Sequence, residues 1–336
     1  MSPDHPSTAL PVDLPMVLEA GRRILAEIHT TPLVPLTSLS EHSGREVVAK
    51  LECFQTTGSF KARGALNRIR TLDEEERRRG VWTISSGNHA QGVAWAASRV
   101  GCRATVVMAN DSSPLKQART RRLGAELLLQ GRDYDEAEAW TLRHVREHGH
   151  LLVHPFEDPL VIAGQGTLVL ELAAQISHLG TIVVPVGGGG LLAGCAVAAR
   201  ALYPHAKLVG VQSEASPAMV RALEAGRPVE TPIGESLADS LTGRWAGEVT
   251  CRMIGRLCDG VRPVPELAIA GAVRWLLEQE GLLVEPSGAA PVAAVLSGVL
   301  DDLPPPLALV LSGGNVDPAV LKRILGENQA QGISSI

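Results

Sequence analysis

The sequence lacks an excess of positive charge and any long apolar run. Its 336 residues hold 31 Lys and Arg against 36 Asp and Glu, a formal net charge of −5. Nucleic acid is therefore disfavoured as a partner, because proteins that bind it present basic patches. No uninterrupted apolar run reaches about 18 residues, the length at which a membrane-spanning helix is expected. We expect neither nucleic acid nor a membrane as a partner.

Cysteine is scarce, and its spacing shows no pairs. The five cysteines form no Cys-x-x-Cys pair and are odd in number, which disfavours a disulfide framework and a structural zinc site. The first twenty residues carry acids and prolines in place of the apolar core of a secretory signal. These absences favour a cytoplasmic protein, and we expect no metal site.

The sequence does contain a repeated alternation of short β-branched runs and helical stretches. This alternation predicts an α/β protein of one or two domains with mainly parallel sheets flanked by helices. An N-terminal amphipathic helix is predicted from apolar positions between Val17 and Ile28. The predicted strands are Val47–Leu51, Val81–Ile84, Ala104–Met108, Glu126–Leu129, Leu151–Val153, Ile182–Val186, Leu208–Val211 and Leu307–Leu311. The predicted helices that follow them include Ala62–Leu72, His89–Val100, Pro114–Leu123, Tyr134–Glu147 and Leu191–Ala201.

Three of the predicted strands run into a Ser/Gly loop and then a helix. The loops are Ser85-Ser86-Gly87-Asn88-His89, Gly187-Gly188-Gly189-Gly190-Leu191 and Ser312-Gly313-Gly314-Asn315. Ligands of open α/β sheets bind beyond the carboxyl ends of strands, and glycine lets backbone N–H groups approach an anion closely. The four consecutive glycines indicate a phosphate cradle at a helix N-terminus. A tightly packed turn is the alternative interpretation of each loop taken singly.

A lysine stands in an unusual place, just inside a predicted helix and directly after an aromatic residue. Lys61 follows Thr57-Gly58-Ser59-Phe60. The field of a helix N-terminus disfavours a cation, and together with partial burial it lowers an amine's pKa. A neutral amine is the nucleophile that a Schiff base requires. A surface lysine at a helix start is the alternative.

Five segments together resemble the motifs of one enzyme family. Glu52–Ala65 resembles the attachment motif of the serine/threonine dehydratases, which are fold-type-II pyridoxal-phosphate enzymes and include threonine dehydratase and serine racemase. Ser85–Gly92 is similar to the substrate loop of that family, and Gly187–Leu191 to its phosphate loop. Glu285–Ala289 and Leu311–Asn315 resemble its two C-terminal motifs. The matches follow the family's order and span nearly the whole chain.

The resemblance implies a cofactor, pyridoxal 5'-phosphate, and a role for each matching residue. Lys61 would hold the cofactor covalently and take the α-proton of the substrate. The residues implied to bind the cofactor are Phe60, Lys61, Asn88, Gly187, Gly188, Gly189, Gly190, Leu191 and Ser312. The residues implied to surround the substrate are Ser85, Ser86, Gly87, Asn88 and His89. Ser312 would face the pyridine nitrogen as a neutral partner, which favours β-elimination over transamination.

The resemblance also implies an architecture and an activity. It implies a tryptophan-synthase-β-like fold in which residues 76–153 form a small domain, and residues 1–75 and 154–330 form a large domain. The implied activity is the dehydration and deamination of a 3-hydroxy amino acid such as L-threonine or L-serine to a 2-oxo acid and ammonia. A homodimer is implied as well. The implied partner is thus a small amino-acid substrate.

Other activities stay open. The serine that matches Ser86 carries a proton in the family's racemases, so the resemblance also implies amino-acid racemisation as a possible activity. The alternative interpretation is that Ser86 is a loop serine that binds only through its backbone. Ser236–Ser240 is similar to a dehydratase-like branch associated with hydroxyectoine breakdown, which keeps an unusual hydroxylated substrate open. Val220 stands where a cation-binding relative would place an acid after Glu214. A non-catalytic binding protein on the same fold is the remaining alternative.

Overall fold

A computed structural model describes residues 9–326, and its strands form two sheets. The strands of the larger sheet are β1 (Leu33–Pro35), β2 (Val47–Lys50), β7 (Thr181–Pro185), β8 (Lys207–Ser213), β9 (Val261–Val264) and β10 (Leu307–Val310). Their order in space is β1-β2-β10-β7-β8-β9. Neighbours run parallel except at one edge, where β1 lies antiparallel to β2.

The smaller sheet has four parallel strands. They are β3 (Val81–Ile84), β4 (Ala104–Met108), β5 (Glu126–Leu129) and β6 (Leu151–Leu152). Their order in space is β5-β4-β3-β6. All four come from one continuous stretch of the chain, whereas the larger sheet uses strands from both sides of that stretch.

Helices connect the parallel strands, as crossover connections require. They are α1 (Leu14–Ile24), α2 (Thr37–Ser43), α3 (Lys61–Arg70), α4 (Glu74–Arg79), α5 (Asn88–Arg99), α6 (Pro114–Arg122), α7 (Tyr134–His148), α8 (Pro159–Gln175), α9 (Gly190–Leu202), α10 (Ala218–Ala225), α11 (Glu248–Leu257), α12 (Glu266–Gln279), α13 (Pro286–Leu296) and α14 (Pro318–Gly326). Within residues 9–326, no helix is both long and apolar enough to cross a bilayer.

The core lies on both faces of the larger sheet. Strands β7 and β10 are buried at every position, which explains their consecutive apolar residues. Helix α8 packs against α1, α3 and α9 and is buried through most of its first twelve residues. Its start is fixed by Asp158, whose carboxylate accepts hydrogen bonds from the N–H groups of Leu160 and Val161, with Pro159 in the first helical position.

The fold-class prediction is confirmed, and all eight predicted strands are present within about two residues of their predicted ends. Strands β1 and β9 were not predicted. The N-terminal helix is shorter than predicted, because α1 ends at Ile24 and the N–H of Glu27 turns back to the carbonyl of Ile24. The division into two domains stays a prediction, and residues 1–8 and 327–330 of its larger part lie outside the described residues.

Candidate active site

The carboxyl ends of two central strands meet the segment that carries Lys61. Strand β10 runs parallel to β7, so Ser312 and Gly187, which follow them, lie at the same edge of the larger sheet. Ser59 forms an isolated β-bridge with Gly313. The N–H of Phe60 donates to the carbonyl of Ser312 at 3.1 Å. Three of the predicted segments are thereby brought to one edge, where α/β proteins bind their ligands.

Lys61 is the first residue of α3, and its side chain is half-buried. The amine donates to the carbonyl of Pro155 at 2.8 Å and lies 5.1 Å from the centre of the Phe60 ring. Loss of hydration lowers the pKa of Lys61 from 10.5 to about 8. Burial thus produces the shift that the sequence attributed jointly to burial and the helix field. The lowered pKa makes the neutral, nucleophilic form of this amine accessible at mildly alkaline pH.

A buried network of charges fixes the start of α3. Arg63 is 1% exposed and donates two hydrogen bonds, of 2.7 and 2.8 Å, to the carboxylate of Glu52. Its third nitrogen donates to Glu171 of α8 at 2.6 Å, and Lys50 donates to the other oxygen of Glu171 at 2.8 Å. Two positive and two negative side chains balance one another, which burial demands. Lys61, two residues before Arg63, is therefore anchored to β2 and α8.

The glycine run Gly187–Gly190 forms the junction between β7 and α9, as predicted. Gly189 has φ of +95°, in the left-handed region that favours glycine. Helix α9 begins at Gly190, with Leu191 as its second residue. The first N–H groups of a helix have no partner within it. Those of Gly190 and Leu191 are thus placed to hold an anion.

Close packing also requires glycine in this run. A Cβ on Gly187 would overlap the carbonyl of Ser240, and a Cβ on Gly188 would overlap the ring of Phe156. Phe156 directly follows Pro155, which accepts the hydrogen bond of Lys61. A tightly packed turn and an anion cradle therefore coexist here. Replacing Gly188 would displace Phe156 as well, so such a variant would not separate a loss of anion binding from a loss of packing.

The loop after β3 carries the predicted substrate residues at the start of α5. Ser85, Ser86 and Gly87 are half-buried. The hydroxyl of Ser85 accepts a hydrogen bond from the N–H of Gly87 at 3.1 Å and so shapes the turn. Asn88 is the first residue of the twelve-residue helix α5. The N–H groups of this turn are placed as a second anion site.

His89 is held as a neutral ring. Its Nε2 donates to the carbonyl of Val153 at 3.0 Å, which leaves Nδ1 as an acceptor. Burial, together with the ammonium of Lys61, keeps the pKa of His89 well below its usual range. His89 therefore supplies no positive charge to an anion bound at this turn.

Asn88 belongs to a second buried network that joins both halves of the chain. Its Nδ2 donates to Oε1 of Glu285 at 2.7 Å, and its Oδ1 accepts from Nδ2 of Asn315 at 2.7 Å. The N–H of Asn315 donates to Oε2 of Glu285 at 3.1 Å. Burial raises the pKa of Glu285 to about 7, with Asp239 adding to the effect and Asn88 opposing it. The amide of Asn88 is thus fixed, and its second N–H has no acceptor among residues 9–326.

Ser312 is nearly buried, with 4% exposure, between β10 and this network. The neighbouring Gly313 packs so closely on Glu285 that a Cβ there would overlap the carboxylate. No residue with formal charge stands at position 312 itself. A ligand group facing Ser312 would therefore meet a neutral hydroxyl, and the assignment of that group as the ring nitrogen stays a prediction.

The residues at this edge fit pyridoxal phosphate. Within residues 9–326, the buried polar atoms without a hydrogen-bond partner include Oγ1 of Thr57, Oγ of Ser59 and Nδ1 of His89, all close in sequence or space to Lys61. A neutralisable amine suits an aldehyde, and a helix N-terminus preceded by glycines suits a phosphate. The orphaned polar atoms suit the polar substituents of a ring and a substrate. Together, this fold and site define a pyridoxal-phosphate enzyme of fold type II.

Comparison with known proteins gives the family directly. Residues 24–313 match the family described as pyridoxal-phosphate dependent enzyme, and the chain belongs to that family. It is 43% identical over 316 residues to an L-threonine ammonia-lyase of Thermotoga maritima, covering 94% of this chain and 79% of the relative. The predicted family resemblance is confirmed.

Solved structures of similar sequence share the fold of this chain. A threonine deaminase from T.th. superposes with a TM-score of 0.84 at 44% identity, covering 91% of this chain and 99% of that one. Maize serine racemase superposes with a TM-score of 0.88 at 33% identity, covering 95% and 98%. A structure named for racemisation and one named for deamination are thus both among those that this chain resembles.

Sequence reasoning missed several residues of the site. Glu285 was recognised only as part of a motif, with no role assigned. Pro155 and Phe156, which touch Lys61 and the glycine run, carried no signal at all, because they lie about 90 residues from Lys61 in sequence. The signal that pointed to Glu285 was its place in Glu285-Pro286-Ser287-Gly288-Ala289.

Proposed function

We propose that the protein is a pyridoxal-phosphate-dependent ammonia-lyase that converts L-threonine or L-serine to a 2-oxo acid and ammonia. One observation carries this proposal: the buried amine of Lys61, with its pKa near 8, lies at the strand-end edge that also carries the glycine run. The names of the relatives support the substrate class, since an L-threonine ammonia-lyase and a threonine deaminase are among them.

The cofactor would be held at four points. Lys61 would hold it through its amine, and the N–H groups of Gly187–Gly190 and Leu191 would bind its phosphate. The second N–H of Asn88 would donate to the 3-oxygen of the ring, because Glu285 and Asn315 occupy the rest of the Asn88 amide. Ser312 would give the ring nitrogen a neutral hydrogen bond, and Phe60 would lie beside the ring.

Pyridoxal phosphate, when bound, supplies an electron sink for the electron pair left at the substrate Cα when its C–H bond breaks. The amine of Lys61 takes that proton as a general base, for which a pKa near the working pH is favourable. The proton that Lys61 has taken would pass to the β-hydroxyl, which would then leave as water. The enamine product would take a proton from water at its β-carbon to become an imine, and water would hydrolyse that C=N bond to the 2-oxo acid and ammonia. A neutral Ser312 would limit the electron demand of the ring and thereby favour expulsion of the hydroxyl.

The substrate carboxylate would lie at the N-terminus of α5. The N–H groups of the turn formed by Ser85, Ser86 and Gly87 hold it, and Asn88 closes the turn. His89 contributes shape and an acceptor nitrogen rather than charge, because burial keeps its ring neutral. The small-molecule amino-acid substrate thus binds where helix and loop meet.

Amino-acid racemisation is the second candidate. It is favoured by Ser86, which stands at the start of α5 with a hydroxyl able to carry a proton, and by the similarity to maize serine racemase.

The proposed function also includes a cytoplasmic location, a homodimer and a small domain at residues 76–153. The cytoplasmic location is supported by the five free cysteines.

The test is direct. The purified protein, supplied with pyridoxal phosphate, is incubated with L-threonine, L-serine, D-serine and other 3-hydroxy amino acids, and both 2-oxo acid release and enantiomer interconversion are measured. We expect 2-oxobutanoate from L-threonine and pyruvate from L-serine. D-Serine from L-serine without 2-oxo acid would assign the racemase instead, and neither product would favour a non-catalytic binding protein.

A further inference from the structure

We propose that Gln212 and Thr250 are positioning residues that hold the carbonyls of the glycine run from behind, and thereby aim its N–H groups at a phosphate. The inference rests on the proposed function, because it takes the phosphate of the cofactor as the ligand. It concerns two residues that no sequence motif singled out, one at the end of β8 and one in α11. Both lie outside the glycine run itself.

Thr250 holds the second carbonyl of the run. Its Oγ1 donates to the carbonyl of Gly188 at 2.6 Å. A hydroxyl has one proton to give, and the other acceptors near it, the carbonyl of Gly247 and Oε1 of Glu157, are at 3.3 and 3.5 Å. Thr250 is fully buried. The proton is therefore committed to Gly188.

Gln212 holds the first carbonyl. Its Nε2 lies 3.4 Å from the carbonyl of Gly187 and donates to it. Its Oε1 accepts from the N–H of Met219 at 2.9 Å, which fixes which end of the amide is the donor. Gln212 is 1% exposed. The donor end of a buried, oriented amide thus faces the glycine run.

Holding a carbonyl determines where the neighbouring N–H points. The peptide bonds of the run are trans, since among the described residues only Pro305–Pro306 is cis. In a planar trans peptide, the C=O and the following N–H point in opposite directions. The N–H groups of Gly188 and Gly189 therefore face away from Gln212 and Thr250. Glycine on both sides gives each peptide a wider choice of backbone angles than other residues would, so these anchors add to the packing contacts of the run a hydrogen bond that selects one orientation of each peptide.

The anchor at Thr250 is itself fixed by the segment that contacts Lys61. The carboxylate of Glu157 accepts from the N–H groups of Glu248, Val249 and Thr250 at 3.0, 3.3 and 3.2 Å, capping α11. Pro155, two residues earlier, accepts from the amine of Lys61. Residues 155–157 therefore relate the position of the amine to that of the phosphate loop.

Removing either anchor should therefore weaken the binding of the phosphate group and leave the binding of the rest of the cofactor unchanged. Without an anchor, peptides of the run rotate and fewer N–H groups meet the anion, while the contacts of the ring and the Lys61 amine stay in place. Dissociation constants of the apoenzyme are measured by absorbance titration with pyridoxal phosphate and with pyridoxal, which lacks the phosphate. The variants are Thr250→Val, Thr250→Ser and Gln212→Met. Thr141→Val is the matched control, because Thr141 is a buried threonine that donates to the carbonyl of Ala137 in α7.

We expect Thr250→Val and Gln212→Met to raise the dissociation constant for pyridoxal phosphate about fivefold to tenfold, and that for pyridoxal less than about twofold. Thr250→Ser retains wild-type affinity, and so does the control. If Thr250→Val fails to fold by circular dichroism, Gln212→Met makes the same test. Equal losses for both ligands, or no loss in either variant, would overturn the positioning role. Wild-type protein that binds both ligands equally would instead overturn the proposed phosphate site.

Discussion

Asn88 and Glu285 lie 197 residues apart in sequence, and a hydrogen bond of 2.7 Å joins Nδ2 of the first to Oε1 of the second. Asn315 completes the arrangement by donating to Oδ1 of Asn88 at 2.7 Å. These two hydrogen bonds fix the orientation of the Asn88 amide, because its Nδ2 must donate to Glu285 and its Oδ1 must accept from Asn315. The free N–H of Asn88 is consequently a fixed donor at the proposed cofactor site.

Glu285 should make the stability of the apoprotein depend on pH. Burial raises the pKa of this carboxyl from 4.5 to about 7, so the fold favours its protonated form. The associated stability is fully present below about pH 4.5 and is lost as the pH rises through about 7. Ionisation at higher pH costs up to about 3 kcal/mol of unfolding free energy. Urea denaturation of the wild type and of Glu285→Gln, at pH 5 and pH 8, measures this loss.

We expect the wild type to lose stability between these two pH values relative to Glu285→Gln. Any constant cost of placing an amide beside Asn88 and Asn315 cancels in that comparison. Glu278→Gln, on the exposed face of α12, is the control and should follow the wild type. Parallel profiles for the wild type and Glu285→Gln would show that Glu285 is not protonated by its burial.

Arg63 should be required for stability as well as for the placement of α3. Its removal leaves the buried carboxylate of Glu52 without a charged partner, with the hydroxyl of Thr31 as a remaining hydrogen-bond donor, and Glu171 with one partner fewer. Breaking a buried charge pair in this way costs about 3–5 kcal/mol. Urea denaturation of Arg63→Met measures the loss. Arg78→Met is the control, because Arg78 pairs with Glu74 on the exposed helix α4 and an exposed pair contributes about 1 kcal/mol or less. Equal effects would contradict the anchoring role of Arg63.

Ser312 should influence the reaction more through its charge than through its hydrogen bond. Ser312→Ala removes one neutral hydrogen bond, worth about 1 kcal/mol, and should reduce kcat for 2-oxobutanoate release about tenfold or less. Ser312→Asp stabilises a protonated ring nitrogen, because an adjacent anion favours a cation. The stronger electron demand of that ring lowers the tendency to expel the β-hydroxyl. We expect a larger loss of kcat in the aspartate variant, and full activity there would exclude Ser312 as the nitrogen's partner.

The architecture was predictable where local patterns carry it. Buried strands ending in glycine loops stood out because consecutive apolar residues followed by glycine form a local signal. Strand β9 did not, since Arg262 and Pro263 interrupt its four residues. Helix α8 was missed because it is buried on most sides and shows no amphipathic period, although Asp158-Pro159 marked its start.

The site was predictable only where motifs are continuous in sequence. Lys61, the glycine run and the Ser85–His89 loop each form a short segment whose chemistry can be interpreted directly. The supporting contacts are different, because Thr250 lies 62 residues from Gly188 and Gln212 lies 25 residues from Gly187. No spacing rule connects such pairs before the fold is known. These contacts are set by how distant segments pack together, and no local sequence pattern encodes them.

The central claim is that Lys61 carries the cofactor, and borohydride reduction of the holoenzyme followed by peptide mapping tests it most directly. We predict a pyridoxyl group on Lys61 in the wild type and its absence in Lys61→Ala. Lys50 should stay unlabelled, because its amine is buried and donates to Thr31, Glu171 and Gln175. Lys116 should stay unlabelled as well, because it pairs with Asp239. A label on Lys50 or Lys116 in place of Lys61 would contradict the account.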